Sequence, residues 1–531
     1  MSTEFVLDWI ERKMGCAYLP KSSMPATADL GKLAKFEPLV IAASIFFDDV
    51  DAGILARLLE VDERQLTARL DVLADSGILL PTASRARARY AFADTALRQA
   101  AHKAIPDRVR LDLHRGAAEA FAGQIMGATL DNSIQAARHW QACDEPLSAV
   151  QCWRAAAQHA IAVPALLVAS NCLGEALALC HTPQFNLPPH EEFLTLSAMG
   201  PLQAQLTGSG SQEVAEIYAR CLEIADTYDA SEASAKFDVL WGLAACILVH
   251  GRVGTAREMC DRLLRSTNVA NDSRHNLLCN RLKGLGELLA GEVPVAIETL
   301  ANVVRSHDDE AHASLRFHYA SDQSALALAH LAWAQAIAGD LAASKQSSRR
   351  ALDRAQLLNH PHTSAHVTCV LAARAQTLNL RSDAATLATG GMALARHHRY
   401  PYWQAWAEII LGWHEGGRHP GAGLARIDAA IAAYQRTGAG QVLSYAHLLR
   451  ARIALAGEQR SLAIVAADQA LESAAAHGVE LFNAEILRVK ALAQPSRDGA
   501  RRLLLERALG IAQQQGTKLF EDRIVEALSG R

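Results

Sequence analysis

The stretch WGLAACILVHGRVGTAREMCDRLLR, residues Trp241–Arg265, predicts a helix, a turn and a second helix. Apolar residues such as Ala244 and Leu248 recur at helical spacing before Gly251, and a second apolar stripe, which includes Leu263, follows that glycine. A hairpin of this kind cannot bury its apolar face alone, so it requires similar hairpins stacked on both sides. We therefore expect the rest of the chain to supply such hairpins.

Turn signals recur at a spacing of roughly forty residues, a period typical of helical solenoids. They fall near Gly251, Gly291, Gly339, Asn379, Gly417, Gly457 and Pro495. Small residues flank the first three turns in pairs, which are Ala244 and Ala256, Gly284 and Ala296, and Ala332 and Ser344. This pattern is typical of tetratricopeptide repeats (TPRs), although it weakens toward the C-terminus. The sequence predicts an all-α, TPR-like α-solenoid over residues 107–531, a right-handed superhelix of helical hairpins.

The composition favours a helical protein of the cytoplasm. The chain has 531 residues, of which 50% are hydrophobic and only 5% aromatic, and it is rich in the helix formers alanine and leucine. A net charge of −4 gives no bulk attraction to nucleic acid or anionic lipid. The ten cysteines are scattered without a C-x-x-C pair, which is typical of reduced thiols. No apolar run is long enough to span a bilayer, so we expect no membrane partner.

Residues 31–106 have a different pattern and predict a small winged-helix-like module. Helices are expected over Leu33–Phe46, Ala52–Glu60 and Glu63–Asp75, followed by a hairpin whose second strand is Arg85–Phe92. Residues 1–30 predict one short helix and a linker. The domain organisation expected from sequence is therefore 1–30, 31–106 and 107–531.

The winged-helix-like module leaves DNA binding open as an alternative function. Arg85, Arg87 and Arg89 would form a basic wing, with Glu63–Asp75 as the recognition helix in the major groove. That helix and its N-cap Asp62 carry more acidic than basic residues, which argues against nucleic acid as a partner. A structural spacer is the favoured interpretation of the module.

The sequence contains no motif that assigns a catalytic reaction or a cofactor. It has no G-x-x-x-x-G-K-[ST] phosphate loop and no convergent nucleophile, base and orienting group. His360 with His362 and His397 with His398 are the best metal candidates, but neither pair has a nearby cysteine. We therefore expect no enzyme activity, no metal and no cofactor, and we interpret these histidines as solvated or capping residues.

Aromatic residues supply the candidate binding surface. Tyr402, Trp406 and Trp413 fall on one helical stripe, which favours packing between repeats over ligand binding. Trp403 lies off that stripe. Because solenoids hold their partners on the concave face, we expect a protein partner or a small ligand in a concave groove. The residues predicted to line this groove are Tyr319, Trp333 and Trp403.

Short landmarks are spread along the chain. They include Gly15–Leu19, Ala137–Trp140, Trp241–Leu243 and Ala484–Arg488. In their order they resemble the C-terminal half of bacterial signal-transduction ATPases, including TPR-containing adenylate cyclases and related transcriptional regulators. The resemblance implies that residues 1–30 are a remnant of the ATPase end, followed by a winged-helix-like module and a TPR superhelix. The ATPase and cyclase domains of that family have no counterpart here, so neither activity carries over.

For function, the resemblance implies that the protein is a non-enzymatic regulatory scaffold in signal transduction. The superhelix would bind a protein or a small molecule and relay that event to an effector, because small rotations per repeat add up to a large change in curvature. A split subunit that works with a separately encoded ATPase is one alternative. The DNA-binding transcriptional regulator described above is the other.

Overall fold

The computed structural model describes residues 37–82, 88–123, 129–227, 233–265, 272–494 and 499–529. The chain divides into two compact units, Met1–Thr195 and Leu196–Arg531, and we call the second the superhelical unit. The helix and linker expected over residues 1–30 lie outside the described residues, and the domain limits expected at residues 30 and 106 stay predictions. None of the helices in the described part of the chain is long and apolar enough to cross a membrane.

The described part of the first unit begins with a module of four helices and a three-stranded sheet. Its elements are α1 (Glu37–Ala43), β1 (Val50–Asp51), α2 (Ala52–Leu58), α3 (Glu63–Asp75), β2 (Leu79–Pro81), β3 (Arg89–Phe92) and α4 (Thr95–Lys103). The strands are antiparallel in the order β1-β3-β2, with Val50 opposite Tyr90. Asp62 caps α3 as predicted, because its side chain accepts a hydrogen bond from the backbone N–H of Gln65. The assignment of this module as a winged helix stays a prediction.

Four longer helices follow in the first unit. They are α5 (Asp107–Ala122), α6 (Leu130–Ala142), α7 (Pro146–Ala162) and α8 (Leu166–Cys180), and a single 3-10 turn over Pro183–Phe185 comes after them. All four lie within residues 107–531, the region for which the sequence predicts helical hairpins. Buried alanines on α6 and α7 allow the close packing expected of helical hairpins.

The superhelical unit is a succession of helical hairpins, as the sequence predicts. Its helices, the first of which begins before Leu196, are α9 (Pro189–Thr207), α10 (Gln212–Thr227), α11 (Ala233–Val249), α12 (Val253–Leu264), α13 (Ser273–Leu289), α14 (Val293–Ser306), α15 (Leu315–His318), α16 (Gln323–Ile337), α17 (Leu341–Leu358), α18 (Pro361–Thr377), α19 (Arg381–His397), α20 (Pro401–Gly416), α21 (Pro420–Arg436), α22 (Leu443–Ala456), α23 (Arg460–His477), α24 (Asn483–Ala493), α25 (Gly499–Gln515) and α26 (Lys518–Leu528).

The predicted turns between paired helices are confirmed where the structure describes them. Gly251, Gly291 and Gly339 have φ values of +91°, +83° and +89°, a left-handed conformation that glycine adopts without strain. Small residues near these turns allow close crossing, as expected. Ser344 Oγ on α17 donates a hydrogen bond to the carbonyl of Ala332 on α16, at 2.6 Å. The turn predicted near Pro495 lies outside the described residues.

The two helices of a hairpin differ in how much of their surface is buried. In α16 every residue except Gln335 is buried, whereas in α17 only Ser344, Ser347, Ala351 and Ala355 are. The first helix of each hairpin therefore lies on the inside of the superhelix and the second on the outside. We call α11, α13, α16, α18, α20, α22 and α24 the inner helices.

The superhelix is wound tightly enough for its later repeats to pack against earlier ones. The backbone N–H groups of Gly440 and Gln441 donate to the carbonyl of Val249, at 2.8 and 3.2 Å. Those of Glu480 and Leu481 donate to the carbonyl of Leu289, at 2.8 and 3.1 Å. The turns that mark the repeats in the sequence therefore also join successive turns of the superhelix.

Candidate functional site

The inner helices of the superhelical unit surround a cavity of about 140 Å³, which we call the central cavity. Its wall includes residues of α9, α11, α13, α16, α18, α20 and α22, together with residues just before α16, α22 and α24. The sequence-predicted residues Tyr319, Trp333 and Trp403 all line it, although they come from different repeats. The sequence predicts a concave groove, and in the structure these residues line a partly open cavity. The role of these residues in ligand binding stays a prediction.

Aromatic rings form much of the wall. The ring of Trp403 lies 4.2 Å from that of His366 and 5.6 Å from that of Trp406, measured between centroids. Elsewhere on the wall, the rings of Trp241 on α11 and Tyr319 just after α15 lie nearly perpendicular, with centroids 4.8 Å apart. Faces and edges of this kind provide apolar contact for a flat ligand, as in most small-molecule sites.

The aromatic stripe that the sequence assigns to packing divides between two environments. Tyr402 and Trp406 line the central cavity, so for these two residues the stripe faces the cavity as well as the neighbouring repeat. Trp413 is buried elsewhere, and the guanidinium of Arg381 lies 4.4 Å above its ring. The helical spacing of these residues correctly predicts the inward face of α20. It does not predict whether that face meets a neighbouring repeat or the central cavity.

The polar atoms of the three predicted residues are already used inside the fold. Their hydrogen bonds run from Tyr319 Oη to Asp238, from Trp333 Nε1 to Thr377 Oγ1 at 2.9 Å, and from Trp403 Nε1 to His362 Nε2 at 3.1 Å. These residues can therefore offer a ligand the surfaces of their rings, but their hydrogen-bond donors are occupied.

Other residues of the wall carry the unused polar atoms. Trp241 Nε1, Trp406 Nε1 and Gln441 Oε1 are buried and have no hydrogen-bond partner among the residues that the structure describes. Gln441 is held in place because its Nε2 donates to Tyr402 Oη at 2.6 Å. Buried polar atoms without a partner are rare in folded proteins, since each one raises the free energy of the folded state. Two donors and one acceptor are thus available to a bound molecule.

Arg281 on α13 is the only charged side chain among the described residues that line the central cavity. It is 6% exposed, and its Nε donates to Gln323 Oε1 at 2.8 Å. Its guanidinium lies 5.6 Å from the Trp241 ring. Burial lowers the pKa of Arg281 to about 10, so the side chain is still charged at neutral pH. Sequence analysis missed this residue, because nothing local distinguishes a buried arginine from an exposed one.

Three histidines of the wall add no charge. Burial lowers the pKa of His330 and of His362 to about 3, and it lowers the pKa of His366 well below its ordinary value. His362 Nε2 accepts the indole N–H of Trp403, so Nδ1 carries the proton and donates to Ser321 Oγ at 2.8 Å. At neutral pH the central cavity is therefore lined by neutral rings and one cation.

The histidine pairs considered as metal ligands have other roles or surroundings. His360 caps α18, since its ring nitrogen accepts from the backbone N–H of Thr363, which agrees with the capping interpretation. The rings of His397 and His398 lie 4.7 Å apart. Within the residues that the structure describes, no group of three or more His, Cys, Asp or Glu side chains is arranged to hold a metal ion.

Of the three arginines of the alternative DNA site, the structure describes one. Arg89 pairs with Asp131 at 3.2 Å and with Asp51 at 3.6 Å, so two carboxylates compensate its charge. Arg85 and Arg87 lie outside the described residues. The described part of the expected wing thus offers no uncompensated positive charge to phosphate.

No family model matches this sequence. An uncharacterised protein of Rhizobium meliloti strain 1021 is 24% identical over 511 residues, which cover 93% of this chain and 48% of that protein. The chain therefore spans about half the length of the curated relative that it matches.

Among solved structures, a signal-transduction ATPase (STAND protein) with a tetratricopeptide-repeat sensor from Pyrococcus horikoshii is similar. Its TM-score is 0.51 at 10% identity, over 86% of this chain and 65% of that one. A Rap protein in complex with the competence and sporulation factor has a TM-score of 0.44 at 13% identity, over 65% of this chain and 98% of that one. At such low identity the similarity concerns the fold alone. The chain has the all-α fold of a TPR-like α-solenoid, as the sequence predicts.

Proposed function

We propose that this chain is a non-enzymatic regulatory scaffold whose superhelical unit binds a small organic molecule in the central cavity. The observation that carries the proposal is the set of buried, unpartnered polar atoms on the cavity wall, Trp241 Nε1, Trp406 Nε1 and Gln441 Oε1. A molecule with polar groups and a flat apolar body would satisfy these atoms and fill the space between the rings. Tyr319, Trp333 and Trp403 would contribute ring contacts.

The position of the cavity suggests how binding would be relayed. Val442, Tyr445 and Phe482 line it from later repeats, and Trp241 lines it from an earlier one. A ligand that contacts both groups would favour the tightly wound superhelix over looser forms. At a ligand concentration one hundred times the Kd, this stabilisation amounts to about 2.7 kcal/mol. Because rotations between repeats add along a solenoid, the change in winding would reach the surfaces that bind a partner.

The proposed partner is an effector protein that recognises the wound form, and a separate ATPase is one candidate. Two comparisons support the suggestion without identifying the partner. One solved structure of similar fold is a signal-transduction ATPase with a TPR sensor, and the curated relative is about twice as long as this chain. The effector would therefore be either a separate protein or a further part of a longer one.

The test is a screen of neutral and charged aromatic fragments by thermal melting of the full chain. Ala245 lines the central cavity, so Ala245→Leu should occupy part of its volume. We expect fragments that raise the melting temperature of the wild type to lose that effect in Ala245→Leu. Ala429→Leu on the exposed face of α21 is the matched control and should retain it. The proposal fails if no fragment stabilises the protein, or if stabilisation is the same in Ala245→Leu.

A further inference from the structure

The charge of Arg281 has no counterion within the described part of the chain. Of the acidic side chains of neighbouring elements, Asp261 on α12 pairs with Lys283 at 2.7 Å and Asp322 before α16 pairs with Arg354 at 2.6 Å. Asp238 on α11 accepts a hydrogen bond from Tyr319 Oη, and Glu287 on α13 has a buried Oε2 without a partner among the described residues, but neither forms an ion pair with Arg281. Within the described ranges, the guanidinium of Arg281 donates one hydrogen bond, to the neutral amide of Gln323. Removing a cation from water is costly, and buried cations are normally paired with an anion. The fold therefore holds a buried positive charge that a ligand could neutralise.

The donors, the rings and the volume of the central cavity limit the chemical class of that ligand. The guanidinium lies beside the Trp241 ring, whose Nε1 has no partner, so two kinds of donor are available at this end of the cavity. The carboxylate is the anion whose two oxygens match the fork of an arginine. The remaining wall combines aliphatic residues with aromatic rings, among which Trp403 and His366 lie only 4.2 Å apart between ring centroids. A cavity of about 140 Å³ is close to the size that holds one benzene ring.

We propose that the central cavity binds a small aromatic carboxylate, with its carboxylate paired to Arg281 and its ring between the aromatic side chains of the wall. This inference rests on the proposed function, since it names the chemical class of the ligand for the same cavity. The side chains of Trp406 and Gln441 both contact Tyr402, and Trp406 Nε1 and Gln441 Oε1, which lack partners among the described residues, could bind a second polar group on the ring.

The experiment compares carboxylates with their neutral amides by isothermal titration calorimetry of the full chain. The probes are benzoate with benzamide and phenylacetate with phenylacetamide. We expect at least one carboxylate to bind about tenfold or more tightly than its amide, because only the carboxylate forms charge-assisted hydrogen bonds with the guanidinium. Arg281→Met should abolish that preference and leave amide binding within about twofold. Arg349→Met, at an exposed position of α17, is the matched control and should keep the preference.

Two further measurements separate a binding role of Arg281 from a structural one. Without ligand, Arg281→Met should melt at a higher temperature than the wild type, because it removes a buried charge that lacks a counterion. Arg281→Lys keeps the charge but not the planar fork, so it should retain a weaker preference for carboxylates. A lower melting temperature for unliganded Arg281→Met would overturn the inference.

The outcomes also distinguish this inference from the proposed function. If benzamide and phenylacetamide bind as tightly as the matching acids and Ala245→Leu blocks both, the cavity is a ligand site but the anion inference is overturned. If no aromatic probe, charged or neutral, binds in a manner that Ala245→Leu blocks, both proposals fail together. A preference for carboxylates that persists in Arg281→Met also overturns the inference, because the anion would then be held elsewhere.

Discussion

We predict that replacing Glu485 by glutamine destabilises the superhelical unit by about 3 kcal/mol at neutral pH. Glu485 on α24 is 1% exposed and accepts two hydrogen bonds from Arg488, from Nε at 2.7 Å and from Nη2 at 2.8 Å. Arg523 on α26 adds a third contact, with its Nη1 at 3.7 Å. One carboxylate thus compensates arginines from two different helices.

The magnitude follows from the pKa of Glu485. Burial alone would raise this pKa, but the charges of Arg488, Arg452 and Arg523 outweigh burial and lower it to about 2 from 4.5. Lowering the pKa of Glu485 from 4.5 to about 2 on folding corresponds to about 3 kcal/mol of folding free energy. Because the folded-state pKa is depressed, this stabilisation is complete above about pH 4.5 and is lost progressively as the pH falls toward 2. Removing one partner of a buried ion pair independently gives about 3–5 kcal/mol.

The assay is urea unfolding of wild type and Glu485→Gln at pH 7, 5 and 3. Glu472→Gln is the matched control, since Glu472 is exposed on α23, and it should change the free energy of unfolding by less than about 0.5 kcal/mol. The difference between wild type and Glu485→Gln should shrink between pH 5 and pH 3, because in this range the carboxylate of the unfolded wild-type chain takes up a proton while the folded one stays ionised. A difference below about 0.5 kcal/mol at pH 7, or one that does not depend on pH, would refute this reasoning.

Three further predictions concern other parts of the chain. Gly438→Ala should destabilise the protein by more than about 3 kcal/mol in urea unfolding. Gly438 has a φ of +72°, and an added Cβ would lie 1.7 Å from a backbone carbonyl oxygen of an earlier repeat. The control Gly390→Ala, on α19 with open space around the added Cβ, should be neutral or stabilising. Burial lowers the pKa of His114 to about 4 and of His139 to about 3, so between pH 7 and pH 5 both histidines take up protons in the unfolded chain but not in the folded one. Each histidine should therefore lower the free energy of unfolding by about 2 kcal/mol at pH 5 relative to pH 7. An unfolding midpoint that is the same at both pH values would contradict this. Arg89→Ala should change the affinity for duplex DNA in a low-salt gel shift by less than about twofold, and a larger loss would revive the DNA-binding alternative.

The repeat architecture could be predicted from the sequence because its signals are local. The apolar stripe around Trp241 and the glycine that follows it specify a hairpin within one stretch of chain. The same holds for the pairing of Ala332 with Ser344, whose close contact depends only on residue size and helical spacing. Each of these features depends on residues less than one repeat apart, so a single sequence suffices to find them.

The composition of the central cavity could be predicted only in part. Sequence reasoning selected Trp403 because it lies off the packing stripe, and the structure does place it on the cavity wall. The same reasoning assigned Trp406 to packing and did not consider Arg281. Which residues face each other across the cavity depends on the rotation between repeats summed over several hairpins, and no single stretch of sequence specifies that sum.

The contacts between successive turns of the superhelix also determine the form of the central cavity. The hydrogen bonds from Gly440 and Gln441 to Val249 bring Gln441 next to the inner helices of earlier repeats, and this residue supplies one of the unpartnered atoms of the cavity. The central cavity therefore exists in this form only while the later repeats pack against the earlier ones. A ligand that pairs with Arg281 on one side and Gln441 on the other would stabilise the cavity and the winding of the superhelix together. Variants that loosen this contact, such as Gly438→Ala, should then weaken ligand binding even though Gly438 does not line the cavity.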